Sequence, residues 1–212
     1  MKKLLVASLT LIGGLAICST APAAITGSYH DFSGTNWADG QICLPCHAPH
    51  NNQNITGDLL WNHDTTKATY TLYDSPTGDV TPGQPAALSK FCLSCHDGTI
   101  ALDAYSSHTT TTSTMIAGLA NLGTNLGNDH PVSFLYDANL VSADAATGGG
   151  VVGLVAPTDS TKVGVAGLPL FAGMMECATC HDVHNKHDTA KGDGLLNTPN
   201  DASKLCLTCH IK

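Results

Sequence analysis

Apolar residues in this chain rarely hold a helical or strand period for long. The longest apolar run, Leu4 to Cys18, follows Lys2 and Lys3 and precedes Ala21-Pro22-Ala23. A positive start, an apolar run shorter than the ~20 residues a membrane helix needs and an A-x-A step predict an export signal over residues 1–23. Cys18 offers a lipoprotein-type alternative, although Ile17 is bulkier than the small residue such a site favours. After residue 23 no stretch is long and apolar enough to cross a membrane. Pro85 to Cys95 reads as one helix, Ala68 to Tyr73 alternates like a short strand, and Leu168 to Phe171 reads as another that Pro169 confines to a sheet edge. Ser106 to Thr114, nearly all Ser and Thr around His108, and the turn Thr147 to Gly150 predict loop. The expected fold is loop-rich and mainly irregular, with short α-helices and a few short strands. It forms one domain over residues 24–212, led by an N-terminal arm at 24–41.

Charge narrows the partners. All nine basic residues are lysines, and they face sixteen aspartates and one glutamate, for a net charge of -8. Such a surface disfavours nucleic acid and anionic membranes and suits metal ions, minerals and basic carrier proteins. Only 5% of residues are aromatic while Gly, Ser, Thr, Ala and Asn abound, so side chains alone predict a poor core.

The cysteines change the picture. Every one except Cys18 belongs to a Cys-x-x-Cys-His motif: Cys43, Cys46 and His47; Cys92, Cys95 and His96; Cys177, Cys180 and His181; Cys206, Cys209 and His210. Cysteines at i and i+3 share one face of a helical turn, from which both sulfurs reach the two vinyl groups of one porphyrin, and the next histidine then meets the iron. Zinc, dithiol or disulfide chemistry would not require a histidine after the second cysteine four times in four. The motifs predict four covalently bound haem c groups with His47, His96, His181 and His210 as proximal iron ligands. With so few aromatics, the haems are expected to form the core, and short helices are expected around each motif.

Seven further histidines are available for the four remaining axial positions. His50 and His184 follow a proximal histidine by three residues, cannot reach the far face of their own haem, and are expected to ligate a neighbouring one. His130, stiffened by Pro131, and His63 in Leu60-Trp61-Asn62-His63 are further candidates, whereas His108 and His187 read as surface residues. Met115, Met174 and Met175 could serve as axial ligands, but surplus histidine makes that unnecessary. His30 lies in the arm, and the last motif is followed only by Ile211 and Lys212. His30 therefore either ligates a haem of its own chain or reaches the fourth haem of another copy, a head-to-tail contact that propagates into filaments.

The arm His30-Asp31-Phe32-Ser33, the Cys43–His50 motif, Leu60–His63, Asp129–Val132 and Glu176–His184 together resemble the extracellular multihaem c-type cytochromes of metal-reducing bacteria, and among them the tetrahaem filament-forming cytochromes. The resemblance implies stacked bis-histidine haems and an N-terminal histidine given to the adjacent subunit. Five histidines, His30, His50, His63, His130 and His184, fit family motifs for four vacancies, so at least one has another role. The expected function is electron transfer through haems in series, with no enzymatic activity, as a subunit of a conductive filament at the outer surface. Expected partners are copies of the chain, redox proteins, and extracellular metal oxide or an electrode. A monomeric periplasmic shuttle is the alternative, and a multihaem reductase the weakest reading, because histidines suffice to close every iron.

Overall fold

The computed structural model describes residues 25–50, 59–105, 113–147, 153–184 and 194–211. The export signal, Cys18, residues 106–112 with His108, residues 148–150 and His187 lie outside them. Regular structure is sparse, as the weak periodicity predicts. Helix α1 is Ala87–His96, α2 is Ala138–Thr147, and single turns form α3 (Cys177–Cys180) and α4 (Lys204–Leu207). Strands β1 (Phe134–Leu135) and β5 (Met174–Met175) pair antiparallel, and β2 (Pro157–Asp159), β3 (Lys162–Val163) and β4 (Leu168–Pro169) form an antiparallel sheet in that order. Pro169 sits on the outer strand, where its missing N–H leaves no ladder bond unmade. No helix among the described residues is long and apolar enough to cross a membrane.

Several local expectations are corrected. The helix expected from Pro85 begins at Ala87 and takes in His96. Ala68 to Tyr73 is extended but is no strand; its one bridge is parallel, Thr71 to Asn125. The Gln84 side chain substitutes for a neighbour, since Tyr70 N–H donates to Gln84 Oε1 (2.8 Å) and Gln84 Nε2 donates to the Tyr70 carbonyl (2.9 Å). The alternation still sorts the faces, with Tyr70 buried and Ala68 and Leu72 packed beside it. The first motif is a turn rather than a helix, although His47 N–H still reaches the Cys43 carbonyl at 2.8 Å. Helix α2 was not anticipated; Asp137 Oδ1 accepts from the N–H groups of Asn139 and Leu140, a local start signal that the weakly periodic sequence obscured.

The apolar core is divided into three small clusters, each lying under a motif. Phe134, Tyr136, Leu140, Val163, Leu168, Leu170 and Met175 pack with Leu205 and Cys209 beneath the fourth motif. Trp37, Ala38 and Tyr105 pack with Phe32 and Leu44 at the first, and Tyr70, Leu93 and Leu126 hold the second. Close approach also positions the fourth motif: Gly164 has φ +70°, and a Cβ there would collide with the Thr208 carbonyl.

The arm at 24–41 does not extend away from the chain. Asp31 caps the turn Phe32–Gly34, Phe32 lies against Trp37 (5.1 Å between ring centroids), and Tyr105 Oη donates to the Trp37 carbonyl at 2.6 Å. These contacts fold the arm onto its own polypeptide, with His30 beside His96.

Candidate functional site

Three motif histidines are held by backbone. His47 Nδ1 lies 2.5 Å from the Leu59 carbonyl, His96 Nδ1 2.8 Å from that of Ala120, and His181 Nδ1 2.6 Å from that of Gly194. With Nδ1–H donating to a carbonyl, the Nε2 lone pair is left for a metal, the usual way a protein fixes the tautomer of a ligating histidine.

The first and third motifs are held by the same device. Each proximal histidine forms an antiparallel bridge with a later segment, His47 with Trp61 and His181 with Leu196. Asn62 N–H donates to the Cys46 carbonyl (2.9 Å) and Ala48 N–H to that of Leu60 (3.0 Å); Asn197 N–H and Asp182 N–H do the same to Cys180 (2.8 Å) and Leu195 (2.6 Å). Asn62 and Asn197 each send Nδ2 back to the residue after the first cysteine, Leu44 at 2.7 Å and Ala178 at 2.9 Å. Leu60 and Leu195 adopt the left-handed region, with φ +51° and +54°. The fourth motif is bridged from upstream, His210 to Leu154, with Val155 N–H on the Cys209 carbonyl. This duplication was missed in the sequence; its signal is the Leu-x-Asn of Leu60 to Asn62 and Leu195 to Asn197, downstream of each histidine.

Three motif histidines each face a second imidazole. Ring centroids are 6.2 Å apart for His47 and His184, 6.0 Å for His96 and His30, and 6.4 Å for His210 and His130. Two metal–nitrogen bonds of about 2 Å plus the half-width of each ring give roughly 6 Å, the span of an imidazole–metal–imidazole unit. The interplanar angles are 17°, 54° and 74° respectively. Among the described residues no second ring is paired in this way with His181, and none faces the exposed His50.

His63 stands apart from the other candidates. It is 1% exposed, and its ring nitrogens are taken by the carbonyls of Asp64 (2.8 Å) and Ala101 (2.9 Å). It braces two segments as a buried strut, with Nε2 also 3.6 Å from Cys95 Sγ in the second motif.

Burial first, then the nearby His96, His181 and His184 imidazoles, push His30 down to about 4, leaving it neutral at pH 7, the metal-binding form. The unfolded chain, with an ordinary value near ~6.5, binds the additional proton between these limits. The stabilisation is therefore present above about 6.5 and lost as pH falls toward about 4. Thermal midpoints of the haem-loaded protein should climb with pH across that window.

The second-position thiols shift together. The second cysteine of every motif is pushed up, Cys46, Cys180 and Cys209 to about 11 and Cys95 to about 12, with burial the leading cause. Cys177 runs the other way, drawn down to about 7 chiefly by its hydrogen bond with Cys92. Neighbouring motifs also lie near one another in chain order. Cys46 acts on Cys95, Cys92 and Cys177 share a hydrogen bond, and Cys180 feels Cys206. The four motifs thus form an ordered string, and Cys43 and Cys206, from its two end motifs, are exposed.

The residues fit the group that the motifs imply. Trp61 Nε1 and His30 Nδ1 are buried without a hydrogen-bond partner, donors suited to an acceptor-bearing group beside them. The chain matches no protein-family model and no curated protein.

Proposed function

We propose that this chain is a tetrahaem electron carrier in which the Cys-x-x-Cys-His motifs hold four haem c groups in an ordered string. The observation that carries the reading is the pairing of His47 with His184, His96 with His30 and His210 with His130 at 6.0–6.4 Å. Haem c supplies an iron that cycles between ferric and ferrous states without making or breaking bonds. His47, His96, His181 and His210 would hold the irons, with His184, His30 and His130 closing three of the sites to substrate and backbone carbonyls steadying three of the proximal rings. That division of labour suits an electron carrier rather than an enzyme. The haems also complete the core, because the three apolar clusters meet at the motifs instead of at one centre.

The end motifs are natural entry and exit points for electrons. Copies joined end to end at the outer cell surface, delivering electrons to redox proteins, metal oxide or an electrode, make the extended form of this function. The position of His30 against His96 of its own chain favours a second reading, a self-contained shuttle exported to the periplasm. A spectroelectrochemical titration tests the carrier reading. It predicts reversible uptake of four electrons per chain and no carbon monoxide binding at the three paired sites; irreversible reduction or extensive carbon monoxide binding would contradict it. Electron microscopy of the loaded protein separates uniform filaments from dispersed monomers.

A further inference from the structure

Glu176 is the sole glutamate of the chain, and it is 2% exposed. It caps the N-terminus of α3 in a capping box with Thr179, so its carboxylate accepts the Thr179 N–H. Its Oε2 also accepts from the hydroxyls of Ser89, on α1, and Ser133, at 3.0 Å. This acceptor-only pattern is that of an ionised carboxylate. Ser89 Oγ in turn receives the Cys177 N–H at 3.0 Å, and the Cys92 and Cys177 thiols are hydrogen-bonded to each other. The carboxylate therefore lies at the junction of the second and third motifs.

No lysine among the described residues is within ion-pair distance of it. A buried anion without a cation is costly, and hydrogen bonds alone seldom offset the loss of water. An isosteric glutamine would make the same capping contact without a charge, so the cap does not explain an acid here.

We propose that Glu176 is a redox-positioning residue whose buried negative charge lowers the reduction potentials of the two central haems relative to the terminal pair. The inference rests on the tetrahaem reading above. A ferric haem carries one more positive charge than a ferrous one, so a nearby anion favours the oxidised state. In a low-dielectric interior salt does little to screen that effect. The central motifs share this carboxylate, whereas the exposed end motifs meet solvent.

Glu176→Gln in the haem-loaded protein tests the proposal, with intact mass and spectroelectrochemical titration read together. The expected result is four retained haems and a shift confined to the low-potential part of the curve. There the ferrous-to-ferric ratio at fixed potential rises about tenfold, equivalent to about 59 mV for a one-electron couple. Glu176→Asp, which keeps the charge, should return most of the native curve. A superimposable curve, or an equal shift of all four haems, overturns the proposal; a protein that carries no haem even in its native form overturns the tetrahaem reading instead. Should the glutamine variant fail to fold, native protein labelled with carbon-13 glutamate provides the test by redox-difference infrared spectroscopy. Because Glu176 is the one glutamate, an isotope-shifted carboxylate band that responds to reduction supports the proposal, and a silent label overturns it.

Discussion

Replacing His184 with alanine is expected to leave four haems attached while turning one of the four irons from low-spin to high-spin. His47 faces the His184 ring at 6.2 Å, so the substitution opens the position opposite the first motif's proximal histidine without touching a thioether cysteine. The freed iron should bind carbon monoxide or cyanide, which the native protein is expected to exclude at that site. Low-temperature electron paramagnetic resonance reads the spin change directly. His63→Ala serves as the contrast: it removes a buried ring held by the Asp64 and Ala101 carbonyls, so it should lower thermal stability and leave every spin state unchanged. An unchanged low-spin spectrum for His184→Ala would refute the pairing, and a high-spin iron in His63→Ala would return His63 to the ligand set.

A second large effect is expected when the chain is produced without haem attachment. Among the described residues sixteen apolar side chains are buried and twelve polar or charged ones are buried beside them. Each interior polar group needs a partner fixed in place. Asp97 shows how tightly these are tuned. Burial works to raise it, yet hydrogen bonds from Thr66 (2.6 Å), Tyr70 (2.6 Å) and Thr99 (2.7 Å) hold it below the usual carboxylate range. Three clusters of this size bury too little apolar surface to offset the ordering of nearly two hundred residues, a cost of roughly 1–2 kcal/mol per residue for the backbone alone. The haem-free chain should therefore give no sharp thermal transition by circular dichroism, while the loaded protein melts cooperatively. A cooperative transition in the haem-free chain would show that side chains alone build the core.

Much of the fold was legible where chemistry is local. Three of the four motifs gave the helical turns, Pro169 fixed the edge strand, and the Ala68–Tyr73 alternation identified the buried face even though no ladder formed there. What stayed hidden depends on segments distant in sequence. Gln84 satisfying Tyr70, Ser89 and Ser133 meeting at Glu176, and Asn62 and Asn197 reaching back to their motifs all involve ordinary residues whose role exists only once the chain has folded. The histidine pairing lies between these extremes. His184 was expected to reach a neighbouring haem because of its three-residue offset from His181, but no sequence rule says that the neighbour is the first motif. His30 lies beside His96 because the contacts of Phe32, Trp37 and Tyr105 fold the arm back, a determinant that its position near the N-terminus does not reveal.

The most direct measurement is the intact mass of the exported, purified protein under denaturing conditions. A mass equal to the polypeptide plus four covalently attached haems is predicted, since each pair of cysteines holds one. A mass equal to the polypeptide alone, or to the polypeptide with its motif cysteines joined as disulfides, would contradict the tetrahaem carrier outright.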